Sequence, residues 1–203
     1  MARILLVPGF WLGAWAWDDV AADLRARGDD ALALTLPGLD PADDDRLDAT
    51  LEMQAQAILD EIASDETVVV VAHSAGAAPT YLATDIAPLP DWDQLEADGN
   101  SLAGLDEVSL ARFRERAVSE PTGIAAAPLR LSDSPARLAI PTTVICNSIT
   151  ADMVEQLRDA GQEPLFAELA EIDAEYIDLP TGHWPMWSRY KELAELIHTI
   201  ANR

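Results

Sequence analysis

Residues 67–76 read TVVVVAHSAG, in which five β-branched residues precede a serine that has small residues two positions before it and at both positions after it. β-Branched residues in a row favour a buried strand, and the helical pattern of residues 75–84 begins directly after them. A serine in such a strand-to-helix turn is typical of a nucleophile elbow, where the strained backbone exposes the hydroxyl at the end of the strand. We predict Ser74 as a nucleophile and the backbone amide of Ala75 as a donor to the oxyanion.

The rest of the chain supplies the context that an elbow requires. The elbow pattern is Gly-x-Ser-x-Gly, and Ala72 stands at its first glycine. An ordinary turn that contains a serine would give a similar five-residue match, so the first strand and a late histidine decide between the two. Pro8-Gly9-Phe10 follows the apolar run of residues 3–7. We predict that the Phe10 amide is the second oxyanion donor, because Gly9 permits close approach of the backbone.

A serine hydroxyl needs a general base within hydrogen-bond reach, and an imidazole suits neutral pH. Of the three histidines, His73 precedes the nucleophile and is expected to point away from it, and His198 lies in the last predicted helix. His183 follows the last predicted strand, at the carboxyl edge of the sheet where α/β active sites form. We therefore predict His183 as the base.

The acid that would orient His183 is the least determined member of the site. The elbow pattern resembles that of α/β-hydrolases, whose chain order of serine, acid, histidine implies an acid in the loop after the penultimate strand, near residues 147–152. Asp152 is the nearest carboxylate there and is our prediction, with Asp133 a less favoured substitute. A site reduced to Ser74 and His183 is the alternative left open.

Short apolar runs alternate with helical periodicity along the chain, which is typical of a mostly parallel sheet flanked by helices. The predicted strands cover residues 3–7, 31–36, 67–71, 142–147 and 175–179, and the predicted helices cover residues 16–27, 50–63, 75–84, 151–170 with an interruption near Gly161, and 191–201. The alternation breaks from about residue 85 to 131, where four prolines and a polar helix at residues 105–118 predict a small segment covering a pocket. We expect a single α/β domain over residues 1–203, with this cap-like segment at about residues 85–131.

Composition limits the function further. The 36 acidic and 13 basic residues give a formal charge of -23, which repels phosphate backbones and anionic membrane surfaces. One cysteine excludes an internal disulfide, and three histidines with one cysteine give no zinc-ligand cluster. We expect a cytoplasmic protein without cofactor or metal that acts on a small molecule rather than on nucleic acid or a membrane. The sequence leaves a homodimer open.

Three segments together resemble the α/β-hydrolase superfamily. They are VPGFWLGAW at residues 7–15, AHSAG at residues 72–76 and TGHWP at residues 181–185. More narrowly, nearly the whole chain resembles small bacterial hydrolases related to plant methyl-ester esterases and hydroxynitrile lyases. The resemblance implies an α/β-hydrolase fold, no cofactor, and cleavage of a small-molecule carboxylic ester, lactone or thioester by a Ser-His-(Asp) mechanism. A hydroxynitrile lyase would carry a threonine at Gly9 and a lysine at Trp184, so lyase chemistry is not expected.

The chain departs from this group in two places. Pro8 replaces the histidine that usually begins the first turn, and residues 84–90 contain no apolar run for the strand that normally follows the elbow helix. We therefore expect a sheet that is one strand short and either rearranged or marginally stable. A catalytically weak or inactive protein that keeps the fold to bind a small ligand is the alternative function.

Overall fold

Five parallel strands among the described residues form two separate hydrogen-bonded groups. The computed structural model describes residues 1–43, 45–62, 67–74, 86–125, 134–161, 166 and 168–203. The strands are Arg3–Val7 (β1), Asp30–Ala33 (β2), Val68–Ala72 (β3), Ile86–Ala87 (β4), Glu120–Pro121 (β5), Thr142–Cys146 (β6) and Ala174–Asp178 (β7). The helices are Asp18–Ala26 (α1), Leu51–Ile62 (α2), Trp92–Ala97 (α3), Glu107–Arg116 (α4), Thr122–Ala125 (α5), Ala151–Ala160 (α6), Pro185–Ser188 (α7) and Tyr190–Ala201 (α8).

β1 is the central strand of the first group, whose order is β2-β1-β3. It pairs in parallel register with both neighbours. Ile4 and Leu6 share a buried cluster with residues of α1 and α8, whereas Leu5 and Val7 belong to a second cluster against which α2 packs. Burial on both faces explains why β1 is a continuous apolar run, and each such aliphatic side chain contributes about 1.5–3 kcal/mol relative to exposure.

The predicted strands of the parallel sheet lie within one residue of the observed ones at most of their ends. β2 is the exception, since it ends at Ala33, three residues before the predicted end. The backbone still follows β1 for one further residue, because the Leu34 amide donates to the Leu6 carbonyl at 3.0 Å. The helix predicted at residues 75–84 lies outside the described residues.

β4 and β5 form a two-residue antiparallel pair, with Ala87 opposite Glu120. β6 and β7 pair in parallel with each other, and no hydrogen bond of the described strands joins them to the β2-β1-β3 group. The sequence predicted that residues 84–90 lack the strand that normally follows the elbow helix, and β4 is not such a strand, because among the described strands it pairs only with β5 and not with the parallel ones. Its two residues are too few to leave a periodic pattern.

Residues 86–125, which we call the covering segment, pack onto the helix that follows the candidate base. Asp91 and Asp106 begin α3 and α4 as N-caps, accepting hydrogen bonds from backbone amides three residues later at 2.9 and 2.8 Å. Phe113 of α4 is fully buried. Its ring lies edge-on to Trp184 and Trp187, with centroids 5.1 and 5.0 Å away. These aromatic contacts join the covering segment to α7.

A polar cluster around the buried Asp29 connects α8 with the start of β1, at the edge of the sheet opposite Ser74. The Asp29 carboxylate accepts hydrogen bonds from the Ala2 amide at 3.3 Å and from Asn202 Nδ2 at 3.0 Å, and it contacts His198 Nδ1 at 2.5 Å. Burial alone would raise the pKa of Asp29, but these hydrogen bonds and the His198 charge lower it overall. The ionised carboxylate is therefore part of the folded state.

Candidate active site

Ser74 lies just beyond the end of β3 in a left-handed backbone conformation, with φ +43°. Among the described residues, Trp11 is the only other non-glycine residue with a positive φ. The strand leads directly into this turn, because the His73 amide still donates to the Val7 carbonyl at 3.1 Å. Such a backbone costs about 1–3 kcal/mol and is found where surrounding contacts impose it. Ser74 therefore has the conformation that a nucleophile elbow requires.

The turn after β1 packs directly against Ser74. A Cβ atom placed on Gly9 would lie 2.8 Å from the His73 carbonyl oxygen, 2.9 Å from Ser74 Cβ and 3.0 Å from the Ser74 carbonyl oxygen. Real Cβ atoms essentially never come this close, so only glycine fits here without movement. The structure thus brings together the two backbone segments that the sequence predicted to form the site.

Residues 9–12, which we call the oxyanion turn, have the form of a type II turn. The Leu12 amide donates to the Gly9 carbonyl at 3.3 Å, and Trp11 in the third position has φ +65°. That position of a type II turn is usually glycine. The Phe10 amide has no hydrogen-bond partner among the described residues, as a donor to a substrate requires. Ala75, the other predicted donor, lies outside those residues.

Glu120 of β5 is a functional candidate that the sequence did not reveal. Its side chain is 1% exposed, and Oε2 accepts a hydrogen bond from the Trp11 amide at 3.3 Å. Burial raises the pKa of Glu120 to about 7, although the Trp11 amide opposes this by favouring the charged form. Oε1 is buried without a partner in the described structure. No local pattern marks this glutamate, because its partner is 109 residues away in sequence.

The loop that carries His183 is held by the backbone of the covering segment. The Gly182 amide donates to the Ala103 carbonyl at 3.1 Å, and the His183 amide donates to the Ser101 carbonyl at 2.7 Å. A Cβ on Gly182 would lie 2.5 Å from both of these carbonyl oxygens. The close approach explains why glycine precedes the candidate base.

His73 connects the elbow to the same loop. Its Nε2 lies 2.7 Å from the His183 carbonyl oxygen, and the two rings lie 5.1 Å apart between centroids. Since a carbonyl only accepts, Nε2 carries the proton. Burial, and then the neighbouring His183, lower the pKa of His73 to about 3, so the ring is neutral. The sequence assigned His73 no role, since this contact spans 110 residues.

The His183 ring lies edge-on to Trp184, with centroids 4.9 Å apart. Burial lowers the pKa of His183, which keeps the imidazole in the neutral form that can accept a proton. Within the described part of the chain, no hydrogen bond joins the His183 ring to Ser74 or to a carboxylate. The role of His183 as the base therefore stays a prediction that its position supports.

Asp152 is an exposed residue in the first turn of α6. Thr150 caps this helix, and Asp178 at the end of β7 accepts a hydrogen bond from the Ala151 amide at 2.7 Å. No described hydrogen bond brings Asp152 to His183. Asp133, the less favoured acid, lies outside the described residues.

The described residues give no sign of a metal centre. No group of three or more histidine, cysteine or acidic side chains in this part of the chain could hold an ion. Cys146 is a free, buried thiol whose pKa is raised by burial and by nearby acidic residues, so it is not a reactive thiolate. In the same residues, no helix is both long and apolar enough to cross a membrane.

Comparisons with known proteins show the family and the fold. Over 92 residues, 42% of this chain, the sequence is 35% identical to Methylesterase 7 of Arabidopsis thaliana and 38% identical to Esterase PIR7B of Oryza sativa subsp. japonica. These matches span about a third of the length of each relative, 35% and 34%. The solved structure of a methylesterase from Arabidopsis shares the fold, with a TM-score of 0.74, 14% identity and 100% coverage of both chains. The alpha/beta hydrolase family matches residues 4–196, and the chain belongs to this family.

Proposed function

We propose that this protein hydrolyses small carboxylic esters, lactones or thioesters, with Ser74 as the nucleophile and His183 as the general base. The observation that carries the proposal is the left-handed Ser74, whose Cβ and carbonyl oxygen pack against Gly9 of the oxyanion turn. The matched relatives are named as a methylesterase and an esterase, which favours ester chemistry.

In the proposed reaction, Ser74 Oγ attacks the ester carbonyl carbon while the His183 ring takes the hydroxyl proton. The carbonyl oxygen becomes an oxyanion, to which the Phe10 and Ala75 amides donate. The intermediate then collapses, and His183 returns the proton to the leaving alcohol. A water molecule attacks the acyl-enzyme with His183 again as base, which releases the acid and restores Ser74. Asp152 is the proposed partner that orients the imidazole.

The charge of the protein favours substrates that are not anionic. The formal charge of -23 gives a negative field that disfavours the approach of polyanions. Uncharged esters pay no such penalty, so we propose a neutral small molecule as the natural substrate.

The test is covalent labelling together with turnover. A fluorophosphonate probe should form an adduct on Ser74, located by mass spectrometry, and short p-nitrophenyl esters should be hydrolysed. Ser74→Ala should lose both. Labelling of a different serine with Ser74 unmodified would contradict the mechanism. A protein that binds esters without turning them over would be the inactive ligand-binding alternative.

A further inference from the structure

The oxyanion turn holds an aromatic residue in a conformation that glycine usually occupies. Trp11 has φ +65° in the third position of the turn closed by the Leu12 amide and the Gly9 carbonyl. A bulky L-residue relaxes from this form by rotating the central Phe10–Trp11 peptide, which gives a type I turn with φ near -90° at Trp11. Something outside the turn must therefore select the left-handed form.

Both backbone polar groups of Trp11 are bound by one short segment of the chain. The Trp11 amide donates to Glu120 Oε2 at 3.3 Å, and the Trp11 carbonyl accepts from the Val118 amide at 3.0 Å. Rotation of the central peptide would turn the Trp11 N–H away from Glu120. A carboxylate that is 1% exposed would then be left buried with neither oxygen paired among the described residues, which is strongly unfavourable.

We propose that Glu120 is a positioning residue for the oxyanion turn: by accepting the Trp11 amide, it anchors the Trp11 end of the turn and so fixes the place from which the Phe10 amide donates. This inference rests on the ester hydrolysis proposed above. Glu120 acts through Trp11 and does not touch the ester. The Phe10 amide lies in the Gly9–Phe10 peptide, which rotation of the central peptide leaves largely in place, so Glu120 acts through the position of the whole turn. Gly9 packs directly against Ser74, so the position of the turn is also its position relative to the proposed nucleophile.

Two substitutions separate the position of the acceptor from its charge. Glu120→Gln keeps the length of the side chain and an acceptor oxygen but removes the charge. Glu120→Asp keeps the charge but withdraws the oxygen by one methylene. Gln54→Asn is the matched control, since Gln54 is also buried and loses one methylene, and its Nε2 donates to the Pro37 carbonyl rather than to the oxyanion turn.

The readouts are steady-state kinetics on an uncharged ester and inhibition by a trifluoromethyl ketone, which forms a tetrahedral adduct with a serine. An oxyanion donor acts only in the tetrahedral state. We expect Glu120→Asp to lower kcat and to raise the inhibition constant of the ketone by the same factor, about tenfold or more. KM should stay within about twofold of the parent value. Glu120→Gln and Gln54→Asn should stay within about threefold of the parent in kcat and in the inhibition constant.

The proposal would be overturned if Glu120→Asp kept the parent values, if Glu120→Gln lost as much as Glu120→Asp, or if Gln54→Asn lost as much as either. A parent protein with neither ester turnover nor Ser74 labelling would instead refute the proposed function. In that case the hydrogen-exchange rate of the Trp11 amide tests, without any activity measurement, whether Glu120 positions the turn. Faster exchange in Glu120→Asp, by about tenfold, with Glu120→Gln and Gln54→Asn unchanged would support it, and equal exchange in all three variants would overturn it.

Discussion

Backbone strain in the described part of the chain is concentrated at the candidate site. Its two left-handed non-glycine residues, Trp11 and Ser74, lie on the two segments that Gly9 packs together. Each conformation costs about 1–3 kcal/mol, and a side chain or neighbouring strand must hold it. Glu120 supplies that contact for Trp11, and β3 leads directly into Ser74. Single substitutions at these positions are therefore the sharpest probes of the site.

The first prediction concerns the pH dependence of His183. Burial lowers the pKa of this imidazole below 6.5, and only its neutral form accepts the serine proton. We expect kcat/KM to be constant near neutral pH and to fall only when the pH drops below about 6.5. His183→Ala should lose activity at every pH with the fold intact by circular dichroism.

The control for this profile is Glu120→Gln, because the pKa of Glu120 is raised to about 7 and could produce a similar curve. The acidic limb should persist in this variant. Its disappearance would assign the limb to Glu120 instead of His183.

The second prediction concerns the decrease in the free energy of unfolding when Glu120 ionises. Burial raises its pKa in the folded protein to about 7, above the 4.5 that is usual for a glutamate. Its stabilising contribution is therefore complete below pH 4.5 and is lost as the pH rises through 7. Relative to the parent, Glu120→Gln should gain roughly 3 kcal/mol in free energy of unfolding between pH 4.5 and pH 8. Urea denaturation at both pH values measures this, and a constant difference between the two proteins would contradict it.

The third prediction decides between three members and two in the proposed site. If Asp152 orients His183 during the reaction, Asp152→Asn should fold normally and lose about a hundredfold to ten-thousandfold in kcat, because the amide would favour the wrong tautomer. Asp133→Asn should then be nearly silent. A loss below about tenfold in Asp152→Asn would support a site made of Ser74 and His183 alone.

Sequence reasoning identified the candidate site residues that stand in local patterns and missed those whose contacts span the chain. Ser74 and Gly9 follow strands, and the structure shows their turns in contact. His73 and Glu120 are defined only by hydrogen bonds that span 110 and 109 residues. No spacing in the sequence reports such contacts. They could be found only once the fold had brought the segments together.

At the scale of elements, the strands were predictable because β1, β3 and β6 are rich in aliphatic and β-branched residues, and β7 carries Tyr176 and Ile177 before the turn at residues 179–182. β4 and β5 were not, since each has two residues and depends on the other for pairing. Predicted helix ends were accurate where a cap or a glycine marks them, as Thr150 and Gly161 do for α6. The loops between elements depend on close packing that only the structure shows.

The fourth prediction tests the contact between the oxyanion turn and the elbow. Gly9→Ala would place a methyl group 2.8–3.0 Å from atoms of His73 and Ser74, so the two segments must separate. A displacement of this kind should lower kcat by about a hundredfold. The matched control is Gly123→Ala in α5, where a Cβ meets nothing within 4 Å. The control should keep parent activity, and a Gly9→Ala variant with parent kcat would remove the basis for this contact in catalysis.

At the scale of the whole molecule, negative charge dominates. The 36 acidic residues outnumber the 13 basic ones, and described ion pairs such as Arg189–Glu192 lie on partly exposed side chains. Exposed pairs contribute little to stability. Repulsion among the unpaired carboxylates therefore outweighs them, and the field opposes the compact state at low ionic strength.

The fifth prediction follows from this balance. Sodium chloride screens the repulsion, since the Debye length falls from about 30 Å at 0.01 M to about 3 Å at 1 M. We expect Tm to rise as sodium chloride is added from 0.01 to about 0.5 M. Differential scanning fluorimetry at fixed pH measures it, with sucrose as a control that changes solvation without screening. A Tm that falls over this range would show that attractive pairs dominate instead.

The hydrogen bonds from the His183 loop to the Ser101 and Ala103 carbonyls connect the covering segment to the position of the His183 side chain. Segments that cover an active site commonly swing aside to admit substrate. Here the part of the cover around residues 101–103 cannot lift away alone, because two backbone hydrogen bonds tie it to Gly182 and His183. Displacing it therefore either breaks those bonds or moves the His183 backbone, so in the proposed mechanism an opening of this segment would also change the position of the base.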